Sequence, residues 1–354
     1  MALNSLSNSS EKPVGVIGAG SFGTVIANML AQQRKVLLYA RNPEDVHRIN
    51  ATRQHRGCEI HSQVEAVNNL EVIARECEVI FPMVPSSHFR EMMKLLAPYL
   101  HPYHTLIHGT KGFDIALPHG QTIESTEMVN RSIVKTMSEV ITEESVVVRI
   151  GCLAGPNLSK ELAERQPAAT VVASHFNEVI QTGKKLLKSD RFQVYENNDI
   201  VGVEIAGVLK NIIAIAAGAL SGLGFGDNAK GLLISRGAVE MVYLGRALGG
   251  DTKAFLGVAG IGDLVTTCNS PKSRNFSVGY RLAKGEPLQQ IIDDMGEIAE
   301  GINTVRIAKK CADHYKVRAL ITDRLYKVLF EGLTIEEALD FLLRVPLNVD
   351  IDFI

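Results

Sequence analysis

The residue of this chain best equipped for chemistry is a lysine set in an apolar helix. Residues 199–224 read DIVGVEIAGVLKNIIAIAAGALSGLG, and past Asp199 the charged or amide residues of the run are Glu204, Lys210 and Asn211. Desolvating an ammonium costs several kcal/mol, on the order of what a whole fold has to spare, so a buried lysine calls for a use. A positioned ammonium stabilises negative charge developing on oxygen and supplies a proton; the neutral amine takes one back. Three plainer readings compete. A membrane span needs about 20 apolar residues, and Glu204 and Lys210 cut the uncharged run to residues 212–223. A surface helix would place Glu204 and Asn211 on one face with Lys210 to the side, at 3.6 residues per turn. A buried ion pair of structural use stays open.

Other polar groups stand at turns. Lys111, flanked by Gly109 and Gly112, is a candidate grip for an anion or a carbonyl oxygen. Gly155 and Asn157 sit in a third turn, GPN, and Asp263 in GIGDLVTT. Ser273, Arg274 and Asn275 open a helix, where backbone amides, the helix dipole and a guanidinium can converge on a phosphate. Glu300, in EIAEG, is placed to serve a site or simply to cap the next helix.

The elements that must position these groups begin with a short apolar strand, 14–17, running into Gly18-Ala19-Gly20-Ser21-Phe22-Gly23 and a helix over 24–33. Gly18 permits the tight turn, Gly20 lets backbone approach a pyrophosphate, and Gly23 lets helix pack on strand. A second strand, 36–39, ends near Arg41, where an acidic residue would select NAD and an arginine suits the 2′-phosphate of NADP. NADP is therefore expected, with NAD possible.

Strands and helices alternate to residue 197, with a helix expected over 122–141 and a strand over 146–150. This predicts a parallel, doubly wound α/β sheet of Rossmann type whose ligands sit off the carboxyl ends of its strands. From 198 the pattern is helical. The expected division is a lead-in at 1–11, a dinucleotide-binding domain at 12–197, an all-α substrate domain at 198–345 and a tail at 346–354. With 354 residues, two cores are the natural prior. A net charge of −2 gives no reason to expect a nucleic-acid partner. The polar N-terminus lacks a secretory core, and five scattered cysteines without metal-ligand spacing suit a reducing cytoplasm without a metal site.

Taken together, VIGAGSFGT, TKG, GPNLSKELA, GVLKNIIAIAAG, GLGFGDNAK, GIGDLVTTC, SRN and the EG turn resemble the bacterial type of NAD(P)-dependent glycerol-3-phosphate dehydrogenase over nearly the whole chain. The resemblance implies a C-terminal domain like that of 6-phosphogluconate dehydrogenase and a homodimer. It also implies reduction of dihydroxyacetone phosphate to sn-glycerol 3-phosphate, feeding glycerophospholipid synthesis. By the same resemblance Lys210 is the general acid and base. Lys111, Gly155, Asn157, Asp263, Ser273, Arg274 and Asn275 line the substrate. Ser21, Phe22, Arg41, Lys111, Ser159, Arg274, Ile298 and Glu300 touch the cofactor. Asn157 stands where many bacterial members carry Ser or Thr, and IAEG replaces a VVEG-type turn. Two rivals are a related dehydrogenase of carboxylate substrates and a cofactor-binding sensor without turnover.

Overall fold

The computed structural model describes residues 12–344 apart from 118, 119, 121, 127, 297 and 298. The expected lead-in, tail and Ile298 lie outside them. Eight strands form the main sheet: β1 (Val14–Ile17), β2 (Val36–Tyr39), β3 (Val64–Val67), β4 (Val79–Pro82), β5 (Thr105–His108), β6 (Arg149–Ala154), β7 (Ala168–Ala173) and β8 (Phe192–Asn197). Their order across the sheet is β8-β7-β6-β5-β4-β1-β2-β3. The chain starts in the middle, runs out to one edge and returns to build the other, so the order reverses between β1 and β4. Both faces of β1 are covered and all four of its residues are buried, which is why it reads as a continuous apolar run.

One pair departs from the all-parallel expectation. β6 and β7 are antiparallel, with Leu153 opposite Val172. Between them residues 155–167 hold only the short helix Ser159–Ala163. Five helical residues span about 7.5 Å, too little to carry the chain back along a six-residue strand, so β7 starts where β6 ends. Residues 122–141 likewise do not form one helix. The Asn130 side chain accepts from Ser132 N and holds a local turn. A capping box, with Thr136 as N-cap and Glu139 three residues on, then starts a separate helix, Met137–Glu144. The strand expected over 146–150 lies over 149–154.

Beyond residue 199 the described structure is helical. Helix α1 (Ser21–Leu30) follows the glycine turn, and α2 (Ile200–Gly222) is the axis of the C-terminal region. The apolar stretch of α2 is long enough to cross a membrane, yet 89% of it is buried inside the protein. It is surrounded by α3 (Asp227–Ala247), α4 (Asp263–Asn269), α5 (Arg274–Ala283) and α6 (Glu300–Tyr315). The closest crossing is α2 on α5. A Cβ on Gly279 would lie 1.8 Å from Ile215 O, and one on Gly218 would lie 1.9 Å from Phe276 O. Two glycines thus bring the backbones together, and this contact anchors the helix whose first turn carries Arg274 and Asn275. The Asp199 side chain starts α2 by accepting from Gly202 N.

Candidate active site

The loops at 83–86, 109–112 and 155–157 leave the carboxyl ends of β4, β5 and β6, as the sequence pattern requires. The C-terminal helices close over that edge. From β5, Lys111 reaches across and donates to Gly155 O at 3.1 Å and to Asp263 Oδ2 at 2.5 Å. From α2, Lys210 donates to Asp263 Oδ1 at 2.7 Å and to the Thr267 hydroxyl. Thr267 in turn donates to Asp263 O, its partner one turn back on α4. Lys210 is 6% exposed and Asp263 2%, so an ammonium and a carboxylate meet almost out of water, with the half-buried Lys111 on the carboxylate's other oxygen.

The electrostatics follow from that burial. Desolvation lowers the Lys210 pKa to about 8, and the nearby Lys111 charge pushes the same way while Asp263 opposes both. Burial works against the Asp263 charge, but the two lysines outweigh it and hold its pKa below the usual carboxylate range. The Cys268 thiol beside Lys210 is pushed up to about 12 by burial, so it is a neutral wall at ordinary pH. Lys210 is therefore a group that can exchange a proton near neutrality, held against a permanent anion.

A second set of bonds joins the sheet loops to α6. Glu300 Oε1 accepts from Ser86 N at 2.9 Å, and its other oxygen accepts from the Ser86 hydroxyl. Burial raises the Glu300 pKa, opposed by the Ser86 donors and then by the charge of Arg274. Arg274 is exposed at the first turn of α5, and the Ser273 side chain accepts from Phe276 N as its N-cap. Asn275 faces inward, its Oδ1 accepting from Gly301 N at 2.9 Å. Asn157 is similarly engaged: Nδ2 donates to Ala169 O at 2.9 Å and Oδ1 accepts from Thr170 Oγ1 at 3.0 Å. The structure thus brings Lys111, Gly155, Lys210 and Asp263 into direct contact. It gives Asn157 and Asn275 structural partners of their own.

The cofactor residues form a separate stretch of the same edge. Gly18 adopts φ +117, and a Cβ there would meet Met83 O at 2.8 Å. A Cβ on Gly23 would lie 1.9 Å from Gly18 O, whereas at Gly20 it would meet nothing within 4 Å. The turn is packed tightly at its two ends and open in the middle, the shape a pyrophosphate requires. Ser21 and Phe22 begin α1 and are half-buried, and Phe22 packs toward Gly109. Ser159 opens the short helix after β6. Arg41 is exposed just past β2 and has no ion-pair partner among the described residues. The residues present therefore fit a dinucleotide.

Four groups carry bonds to which the sequence reading assigns no role. Thr267 was signalled by its i, i+4 spacing from Asp263. Ser86, which holds Glu300, and Ser138, which donates to Glu204 from N at 2.9 Å and also from Oγ, had no local signal. His55, whose Nε2 meets Ala19 O at 2.7 Å, had none either.

Two family models match the chain: NAD-dependent glycerol-3-phosphate dehydrogenase N-terminus over residues 13–180, and C-terminus over 199–340. A glycerol-3-phosphate dehydrogenase [NAD(P)+] from Pseudomonas paraeruginosa is 38% identical over 349 residues, covering 97% of this chain and 98% of the relative. One from Pseudomonas putida is 37% identical, covering 97% of each. The crystal structure of glycerol-3-phosphate dehydrogenase from Coxiella burnetii superposes with a TM-score of 0.84 at 30% identity, covering 95% of this chain and 99% of that one. The paired lysines on one buried aspartate, the open glycine turn and these likenesses agree, and the chain belongs to the NAD-dependent glycerol-3-phosphate dehydrogenase family.

Proposed function

We propose that this protein interconverts dihydroxyacetone phosphate and sn-glycerol 3-phosphate, with NADP or NAD as cofactor and Lys210 as general acid and base. The observation that carries the reading is the Lys111–Asp263–Lys210 arrangement at the carboxyl edge of the sheet, with Asp263 and Lys210 buried. Gly18, Gly20, Ser21, Phe22 and Gly23 would hold the pyrophosphate region, and Arg41 a 2′-phosphate. Lys111, Ser159, Arg274 and Glu300 would complete the contacts. When bound, the nicotinamide supplies the hydride for ketone reduction and accepts it in the reverse direction.

The chain's own residues do the rest. Lys210 as ammonium stabilises the charge that develops on the ketone oxygen and delivers its proton to that oxygen. Neutral Lys210 takes the hydroxyl proton on the return. Asp263 and Thr267 fix the direction in which Nζ points, and Asp263 favours its charged form. Lys111 and the Arg274 turn grip the anionic end of the substrate. Binding energy at that remote group orients the reacting carbon.

The same reading makes residues 12–197 and 198–345 its two working domains and the enzyme a homodimer of the cytoplasm whose product feeds glycerophospholipid synthesis. The five cysteines are all unpaired, which supports a reducing compartment. The test is a steady-state assay of NADPH oxidation with dihydroxyacetone phosphate against a panel of 2-keto acids. Turnover with the phosphorylated ketone alone is the expected result. A preference for any keto acid, or NADPH binding without turnover, refutes the reading.

A further inference from the structure

We propose that His55 is a positioning residue for the dinucleotide, acting through the peptide between Ala19 and Gly20. The proposal rests on the glycine turn being the cofactor site. His55 is 4% exposed and belongs to a two-residue strand, Gln54–His55, folded back over that turn. Its Nε2 lies 2.7 Å from Ala19 O, and its Nδ1 lies 3.1 Å from Arg48 Nη2. A guanidinium only donates, so Nδ1 is the acceptor and Nε2 carries the proton given to the carbonyl.

The consequence lies on the far side of the peptide plane. No peptide in the described structure is cis, and in a trans peptide the C=O and N–H point in opposite directions. Holding the Ala19 carbonyl toward His55 therefore aims the Gly20 N–H the other way. At Gly20 the space a side chain would fill is open. A peptide beside glycine turns over easily, because glycine tolerates both signs of φ. His55 removes that freedom.

The mount is itself fixed. Asn28 on α1 donates to Glu59 O at 2.7 Å and accepts from His61 N at 3.0 Å, and Arg53 donates to Val64 O at 2.6 Å. The His55 ring is thus carried by a segment tied to α1 and β3, and the donor cannot drift from the turn.

The experiment is titration of the full-length chain with NADPH by nucleotide fluorescence, for wild type, His55→Leu and His55→Gln, with thermal midpoints recorded alongside. Glutamine presents an N–H at about the reach of Nε2 and leucine none. Losing a bond that aims a donor at a charged group should raise the NADPH Kd about tenfold in His55→Leu. His55→Gln should recover most of that loss, and kcat at saturating NADPH and the KM for the ketone should stay near wild type in both. An unchanged Kd in folded His55→Leu overturns the proposal, as does a folded His55→Gln as weak as the leucine variant. If His55→Leu does not fold, His55→Phe decides: it keeps a planar ring and removes the N–H, and an unchanged Kd there also overturns the proposal. The titration needs no turnover, so a wild type that binds NADPH but reduces no ketone refutes the proposed activity and leaves this test intact.

Discussion

Lys111 and Lys210 share one carboxylate: their ammonium groups sit on opposite oxygens of Asp263, at 2.5 and 2.7 Å. One lysine comes from the sheet and the other from the long apolar helix, so the aspartate ties the two halves together where the chemistry is proposed. The arrangement carries a net positive charge in little water, which suits an anionic substrate and keeps one of the two amines ready to lose a proton.

Replacing Lys210 by methionine keeps an unbranched stem, one atom shorter, and removes the amine. NADPH binding should survive, while turnover should fall by about 10²- to 10⁴-fold, the usual worth of a positioned acid or base. Stopped-flow binding and steady-state rates on the same preparation separate the two effects. An active variant removes Lys210 from the reaction.

The pH dependence has a definite sign. Reduction needs Lys210 charged and oxidation needs it neutral, so with its pKa at about 8 the reductive kcat should fall, and the oxidative kcat rise, as pH passes through that value. Stability moves too. The folded pKa of about 8 lies below the ordinary 10.5, so between these values the unfolded chain binds the extra proton. The contribution of Lys210 to stability therefore increases with pH across that window. Rate profiles in both directions check the first statement. Parallel limbs would contradict it.

Asp263→Asn tests the origin of that pKa. Asp263 is the chief influence holding Lys210 charged, and Lys111 and burial oppose it. Without the carboxylate the limb should move to lower pH and the rate should fall about a hundredfold or more. A limb left in place would mean that another group titrates.

How far the sequence reaches is clear from these same residues. Gly18, Gly20 and Gly23 were legible because their spacing is local and each role is steric. Lys210 was legible because a charge stands out in an apolar helix. Asp263 is 53 residues from Lys210 and 152 from Lys111, and only the fold shows that it binds both. Asn157 and Asn275 stand in turns as candidate ligands, and only the fold shows that Asn157 Nδ2 also donates to Ala169 O and that Asn275 Oδ1 also accepts from Gly301 N. The antiparallel β7 escaped because strand direction depends on how far a connection reaches, which apolar patterning does not encode.

Arg41→Ala addresses cofactor choice. Arg41 is exposed beyond β2 without an ion-pair partner among the described residues, so its charge is free for a ligand. Loss of a charge-assisted contact to a 2′-phosphate should weaken NADPH about tenfold or more and leave NADH nearly unchanged. Paired titrations with the two nucleotides decide it. Equal losses remove Arg41 from the selection.

Glu204 lies six residues before Lys210 but faces a different task. It is 6% exposed, accepts from Ser138 N and Oγ at the start of helix Met137–Glu144, and lies 3.0 Å from His108 Nε2, outside hydrogen-bond alignment. Burial works against its charge, yet His108 and Ser138 together bring the pKa below the ordinary value. A helix N-terminus favours an anion, and Ser138 would lose its acceptor if the carboxylate went. Glu204→Leu should therefore cost about 3 kcal/mol of stability, and Glu204→Gln less, because an amide oxygen can still accept. The rate per folded molecule should change little, since neither oxygen touches Lys210 or Asp263. Urea unfolding and active-site titration measure the two quantities separately. A folded Glu204→Leu that is as stable as wild type but slow would move Glu204 from the scaffold into the proton chemistry.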